Sequence, residues 1–128
     1  MLTRARRIAS ILALALFDLA VWSSPAAAHA LPERFEPRRD ATLRASPVEV
    51  RILFGGDIEP AFSTIEVTDA ARQRMDKRDA RVDGRNRRLL RVHLGALGAG
   101  VYRVTWQILA IDGHRNQGTY MFTVRPPE

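Results

Sequence analysis

The stretch Gly100-Val101-Tyr102-Arg103-Val104-Thr105-Trp106-Gln107-Ile108 decides the fold class of this chain. Tyr102, Val104, Trp106 and Ile108 occupy one phase of a two-residue period, and Arg103, Thr105 and Gln107 occupy the other. Side chains of an extended chain alternate between faces, so this is a strand with one face buried. Outward from it, Tyr120, Phe122 and Val124 alternate with Thr119, Met121 and Thr123. Val48, Val50, Ile52 and Phe54 alternate with Glu49, Arg51 and Leu53; Ile65 and Val67 with Thr64, Glu66 and Thr68; Leu90, Val92 and Leu94 with Leu89, Arg91 and His93. Turn chemistry separates the runs at Arg39-Asp40, Ser46-Pro47, Gly55-Gly56-Asp57, Asp83-Gly84, Gly95 to Gly100 and Asp112-Gly113. No stretch carries a helical stripe. Ala70 to Ala80 comes nearest, and it is nearly all polar. Five clear strands and one or two weaker ones predict an all-β antiparallel sandwich or Greek-key barrel.

The chain has 128 residues, 20 basic against 14 acidic, and no cysteine. That length holds one domain with an added segment. Without cysteine there is no disulfide framework, no thiolate-bound zinc or iron–sulfur centre, and no thiol nucleophile. The added segment is at the start. Met1 to Ser10 carries Arg4, Arg6 and Arg7 and no acid; Ile11 to Trp22 is apolar apart from Asp18; Ser23-Ser24-Pro25-Ala26-Ala27-Ala28 follows. A basic start, a short apolar run and a small-residue cleavage site form a secretory signal. Residues 1–28 are therefore expected to be removed on export, leaving a domain of residues 29–128. Ala26-Ala27-Ala28 and Ala28-His29-Ala30 both fit the cleavage pattern, so cuts after Ala28 and after Ala30 both stand. Only the first makes His29 the new N-terminus. Setting aside Arg4, Arg6, Arg7 and Asp18 leaves 17 basic and 13 acidic residues, a balance of +4.

The remaining basic excess gathers between Arg72 and Arg91, where nine cations stand against Asp76, Asp79 and Asp83. Single-stranded nucleic acids are gripped by cations interleaved with stacking aromatics. No aromatic residue lies between Phe62 and Tyr102, and export separates the chain from nucleic acid. The run reads as a solvated hairpin and loop, with anionic lipid as a second reading and no nucleic-acid partner.

Three histidines remain as carriers of chemistry. His93 sits on the outward phase of its strand beside Arg91 and reads as a surface histidine. His114 belongs to Asp112-Gly113-His114, between the two best strands. Gly113 permits the turn that brings a carboxylate and an imidazole together, although Asp-Gly is also ordinary hairpin chemistry. A cut after Ala28 would give His29 two donors, its α-amine and its imidazole. With Asp112 and His114 the set becomes three nitrogens and one carboxylate oxygen, which suits tetragonal Cu(II). Zn(II) takes similar donors but prefers a tetrahedral arrangement.

The residues also resemble a family. Gly100-Val101-Tyr102-Arg103-Val104-Thr105-Trp106, Asp112-Gly113-His114 and Gly118-Thr119-Tyr120-Met121-Phe122-Thr123-Val124 are similar to the G-x-Y-x-V-x-W…D-G-H…G-x-x-x-F-x-V ending of the CopC family of periplasmic copper-binding, copper-resistance proteins. The likeness extends back through Glu59-Pro60-Ala61-Phe62-Ser63, Ser46-Pro47 and Pro37-Arg38-Arg39-Asp40 to His29-Ala30. It implies a seven-stranded, immunoglobulin-like Greek-key barrel or sandwich. It also implies Cu(II) held by His29, Asp112 and His114, and a CopD-type inner-membrane protein as receiver. Three departures stand out. Residues 29–128 hold only Met75 and Met121, so a methionine-rich Cu(I) site is not expected. The start reads His29-Ala30-Leu31, without a histidine at the third position. Gly55-Gly56-Asp57 follows Phe54, so a supporting hydrogen bond to a ligand imidazole would come from Asp57 or Glu59.

The expected role is a copper carrier or buffer, not a catalyst, with affinity falling below about pH 6 as the imidazoles protonate. A flexible N-terminus would close half of the coordination sphere. Two rivals use the same residues differently. A histidine-brace copper monooxygenase would need an open metal face and exposed aromatics. A metal-free immunoglobulin-like interaction module would explain the strands but not the coincidence of His29 with Asp112-Gly113-His114.

Overall fold

The computed structural model describes residues 30–128. The expected export signal, residues 1–28, and the proposed ligand His29 lie outside the described residues. What forms is the all-β sandwich that the alternation demands. Eight strands follow in order: β1 (Pro32–Glu36), β2 (Thr42–Leu43), β3 (Glu49–Phe54), β4 (Thr64–Thr68), β5 (Arg81–Val82), β6 (Leu89–His93), β7 (Gly100–Leu109) and β8 (Arg115–Val124). They make two four-stranded sheets, ordered β1-β3-β6-β5 and β2-β8-β7-β4. The resemblance implies seven strands and the alternation five clear ones; the three that the alternation does not mark are the edge strand β1 and the two-residue strands β2 and β5.

The decisive stretch forms the spine of the second sheet. β7 and β8 pair antiparallel over ten residues each, from Gly100 opposite Val124 to Leu109 opposite Arg115. The inward phase is as read: Val104, Trp106, Ile108, Phe122 and Val124 are buried, with Tyr102 and Tyr120 beside them. They meet Val50, Ile52, Phe54, Leu90 and Val92 of the first sheet in one core. Phe54 packs edge-on against Trp106, ring centroids 5.3 Å apart, joining the sheets. Trp106 lies over its cross-strand partner Gly118, where an added Cβ would come within 2.6 Å of the indole.

Three features differ from a simple alternating reading. β2 pairs with β8 in parallel, so the second sheet is mixed. After β1 the chain crosses to the other sheet and lies beside the end of β8, where the Asp40 amide donates to Met121 and the Thr123 amide donates to Ala41. Leu89, on an outward phase, is buried all the same. It lines a shallow depression on the outer face together with Leu53, Arg34 and Arg51. Finally, Ala70 to Ala80 is a looped arm held along the open edge of β4 and has no helix. Asp76 fastens it: its fully buried carboxylate accepts from the Val67 amide at 2.9 Å, the Arg78 amide at 3.0 Å and the Arg74 guanidinium at 2.8 Å. The Met75 amide donates to the Val67 carbonyl at 2.8 Å, so the arm covers an edge otherwise free to pair with another chain.

Candidate metal centre

One end of the sandwich gathers the close of β7, the opening of β8, the segment after β3 and the first described residues. β7 ends at Leu109, and Ala110 to His114 form the hairpin tip. The Ala110 amide donates to the His114 carbonyl at 2.8 Å, and the Gly113 amide to the Ala110 carbonyl at 2.9 Å. Gly113 has φ +91°, in the left-handed region where glycine carries no Cβ penalty. This turn lets Asp112 fold back on His114. The Asp112 Oδ1 accepts from the His114 amide at 3.0 Å and lies 3.1 Å from His114 Nδ1.

The spacing read in the sequence therefore does bring a carboxylate and an imidazole together. Two donor atoms about 3 Å apart are spaced as neighbouring ligands of one ion with bonds near 2.0–2.2 Å. Both side chains are partly exposed, at 37% and 60%, so an ion can reach them. Among the described residues, no three His, Asp or Glu side chains converge on one point. The Asp112–His114 pair thus stands as two donors among the described residues, and His29, expected from the sequence as the further ligand, lies outside them.

The tip rests on a segment that the alternation did not reveal. Ile58 is fully buried and bridges Ala110. The Glu59 amide donates to the Leu109 carbonyl at 2.7 Å, and the Ile111 amide to the Asp57 carbonyl at 3.2 Å. Asp57 and Glu59 thus reach the loop first through their backbones. Buried Ser63 closes the support, donating to the Glu59 carbonyl at 2.7 Å and accepting from the Leu109 amide at 3.3 Å. A serine after a single 3₁₀ turn carries no periodic signal, so only the tertiary pairing identifies it.

The other singled-out residues lie away from this end. His93 is not a free surface histidine: Asp79 accepts from its amide at 2.9 Å and meets its Nδ1 at 2.6 Å. The hydrogen bond from His93 holds the Asp79 carboxyl below its ordinary range. Carboxylates also meet much of the basic run. Arg74 pairs with Asp76, Arg81 with Asp79, Arg88 with Glu33, and Arg91 with Glu49 and Asp83. Met75 packs against the core from the arm, whereas Met121 is exposed on the far side of β8.

Comparison with known proteins agrees with this architecture. A family model for the CopC domain matches residues 33–125. The structure is similar to that of CopC from Methylosinus trichosporium OB3b, with a TM-score of 0.72 and 33% identity, covering 78% of this chain and 97% of that one. The sequence is 28% identical over 117 residues to protein YobA of Escherichia coli strain K12, covering 91% of this chain and 90% of that protein. It is 29% identical over 98 residues to the copper transport protein CutJ of Bacillus subtilis strain 168, covering 76% of this chain but only 18% of CutJ. With most of its length matched by the family model and its two-sheet architecture shared with a solved CopC, this chain belongs to the CopC family of copper-resistance and copper-transport proteins.

Proposed function

We propose that the exported domain, residues 29–128, is a periplasmic Cu(II) carrier that binds its cargo through His29, Asp112 and His114. The observation that carries this reading is the 3.1 Å approach of Asp112 Oδ1 to His114 Nδ1 on a turn braced by the Asp57–Ser63 segment. A fixed pair of donors lowers the ordering cost of binding, and the His29 amine and imidazole complete a nitrogen-rich set that favours Cu(II). Binding displaces protons from the amine and the imidazoles, so acid releases the ion. Asp57 and Glu59 lie on the strip paired with Leu109 to Ile111, from which either carboxylate can steady a ligand imidazole.

Ala30 is 3% exposed and belongs to the core, so cleavage after Ala30 would discard a packed residue along with His29. Cleavage after Ala28 keeps both. Delivery to a CopD-type inner-membrane protein is supported by CutJ, in which a stretch similar to this chain makes up 18% of a copper transport protein. The carrier role is favoured over catalysis because Asp112 would take an equatorial position that metal catalysis needs open to substrate.

The test is to purify the exported protein, sequence its N-terminus, and titrate it with Cu(II) while recording electron paramagnetic resonance spectra. One tight tetragonal site is expected, lost in His114→Ala and when one residue is added before His29. A mature start at Leu31 would sink the proposed ligand set. Turnover of a glycan with peroxide would favour the monooxygenase reading instead.

A further inference from the structure

The residues just after the proposed N-terminal ligand are held in place by both sheets. The Gly55 amide, at the end of β3, donates to the Leu31 carbonyl at 2.8 Å. From β8, Asn116 Nδ2 donates to the Ala30 carbonyl at 3.5 Å, the long limit of a hydrogen bond. The orientation of this amide is set on its other side, where Oδ1 accepts from the Gln117 amide at 3.0 Å. Ala30 itself is buried in the core. Ala30, Leu31, Ala110, His114, Arg115 and Asn116 line one small depression, so the docked segment and the Asp-Gly-His tip share a wall.

From this geometry we infer that Asn116 is a positioning residue for the copper site. It clasps the Ala30 carbonyl so that the preceding residue is delivered to Asp112 and His114, and its grip sets how fast copper is released. The inference rests on the carrier reading and deepens it. An undocked arm would have to lose backbone freedom each time it closed on the ion. A docked arm has already lost it, which raises the effective concentration of the third ligand. The half of the site expected to be flexible is thus anchored from Ala30 onward. Release then proceeds by opening the clasp, with Asp112 and His114 staying in place.

The experiment uses the exported, processed protein with Asn116→Ala and Asn116→Asp. Asn116→Asp keeps the acceptor for the Gln117 amide but faces the Ala30 carbonyl with a second acceptor. Ser46→Ala is the stability control: it removes a hydroxyl that accepts from the Leu97 amide at 2.9 Å at the other end of the molecule. Cu(II) loss to excess chelator is followed by stopped flow, and the backbone order of Ala30 and Leu31 is measured by nitrogen-15 relaxation without metal. Both Asn116 variants are expected to lose Cu(II) about two- to threefold faster, the lower range for one hydrogen bond, because this contact is long. They should keep the wild-type resonance spectrum and show lower backbone order at Ala30. Ser46→Ala should leave release unchanged. Wild-type release rates in both Asn116 variants would overturn the inference, even if their unfolding temperature fell. If the wild-type protein binds no Cu(II) tightly, the carrier reading fails. The relaxation data then still decide the clasp, and an equally ordered Ala30 in Asn116→Ala overturns it.

Discussion

Gly118 and Asp76 show how single residues carry constraints of different kinds. Gly118 is a glycine because the Trp106 indole occupies the space its side chain would need. Gly118→Ala places a methyl within 2.6 Å of that ring and is expected to cost on the order of 1–3 kcal/mol, read as a lower thermal midpoint. Asp76 is the converse, a charge held where water cannot reach. Burial pushes its carboxyl up, but hydrogen bonds from the Arg74 guanidinium and the Val67 and Arg78 amides together hold it below the ordinary range. Asp76→Ala strands these donors and is expected to destabilise by about 3–5 kcal/mol in denaturant unfolding, with Asp76→Asn milder. Neither role was legible in the sequence. Gly118 stood in the family-like ending without a stated reason, and Asp76 read as one acid in a basic loop.

At the scale of elements, the long hairpin β7–β8 was legible because its inward residues keep strict alternation over most of ten positions. β1 and β2 were not, since Pro32–Glu36 pairs only along one edge and Thr42–Leu43 is too short to alternate. The hairpin tip depends on a neighbour that the sequence does not mark. Ser63 closes the Asp57–Ser63 segment on itself by donating to the Glu59 carbonyl and joins it to the end of β7 by accepting from the Leu109 amide. Ser63→Ala leaves the Leu109 amide and the Glu59 carbonyl without this partner, at a cost of about 1–3 kcal/mol. Because the tip rests there, Ser63→Ala should also weaken Cu(II) binding several-fold in a chelator competition, while His93→Ala, remote from the tip, should not.

For the whole molecule, the carboxylates set the response to acid. The His93 hydrogen bond lowers Asp79, the Arg85 amide and then Arg91 lower Asp83, and the donors around Asp76 lower it against burial. A carboxyl depressed in the folded state adds stability above its unfolded value, near 3.9, and loses it as pH falls through the folded value. Unfolding free energy is therefore expected to be flat near neutrality and to drop below about pH 4. Asp76→Asn should flatten that drop, as measured by urea titrations at stepped pH. The sequence by itself determined the fold class, the export signal as an expectation, and the pairing of Asp112 with His114, since periodicity and turn chemistry act over a few neighbouring residues. Only the tertiary structure decided the mixed pairing of β2, the plugging of the β4 edge by Asp76, and the support of the tip by Ser63. It also decided the docking of Ala30 on Asn116 and of Leu31 on Gly55. Those contacts join residues that are far apart along the chain or carry no periodic mark, and they exist only once two sheets have closed over one core.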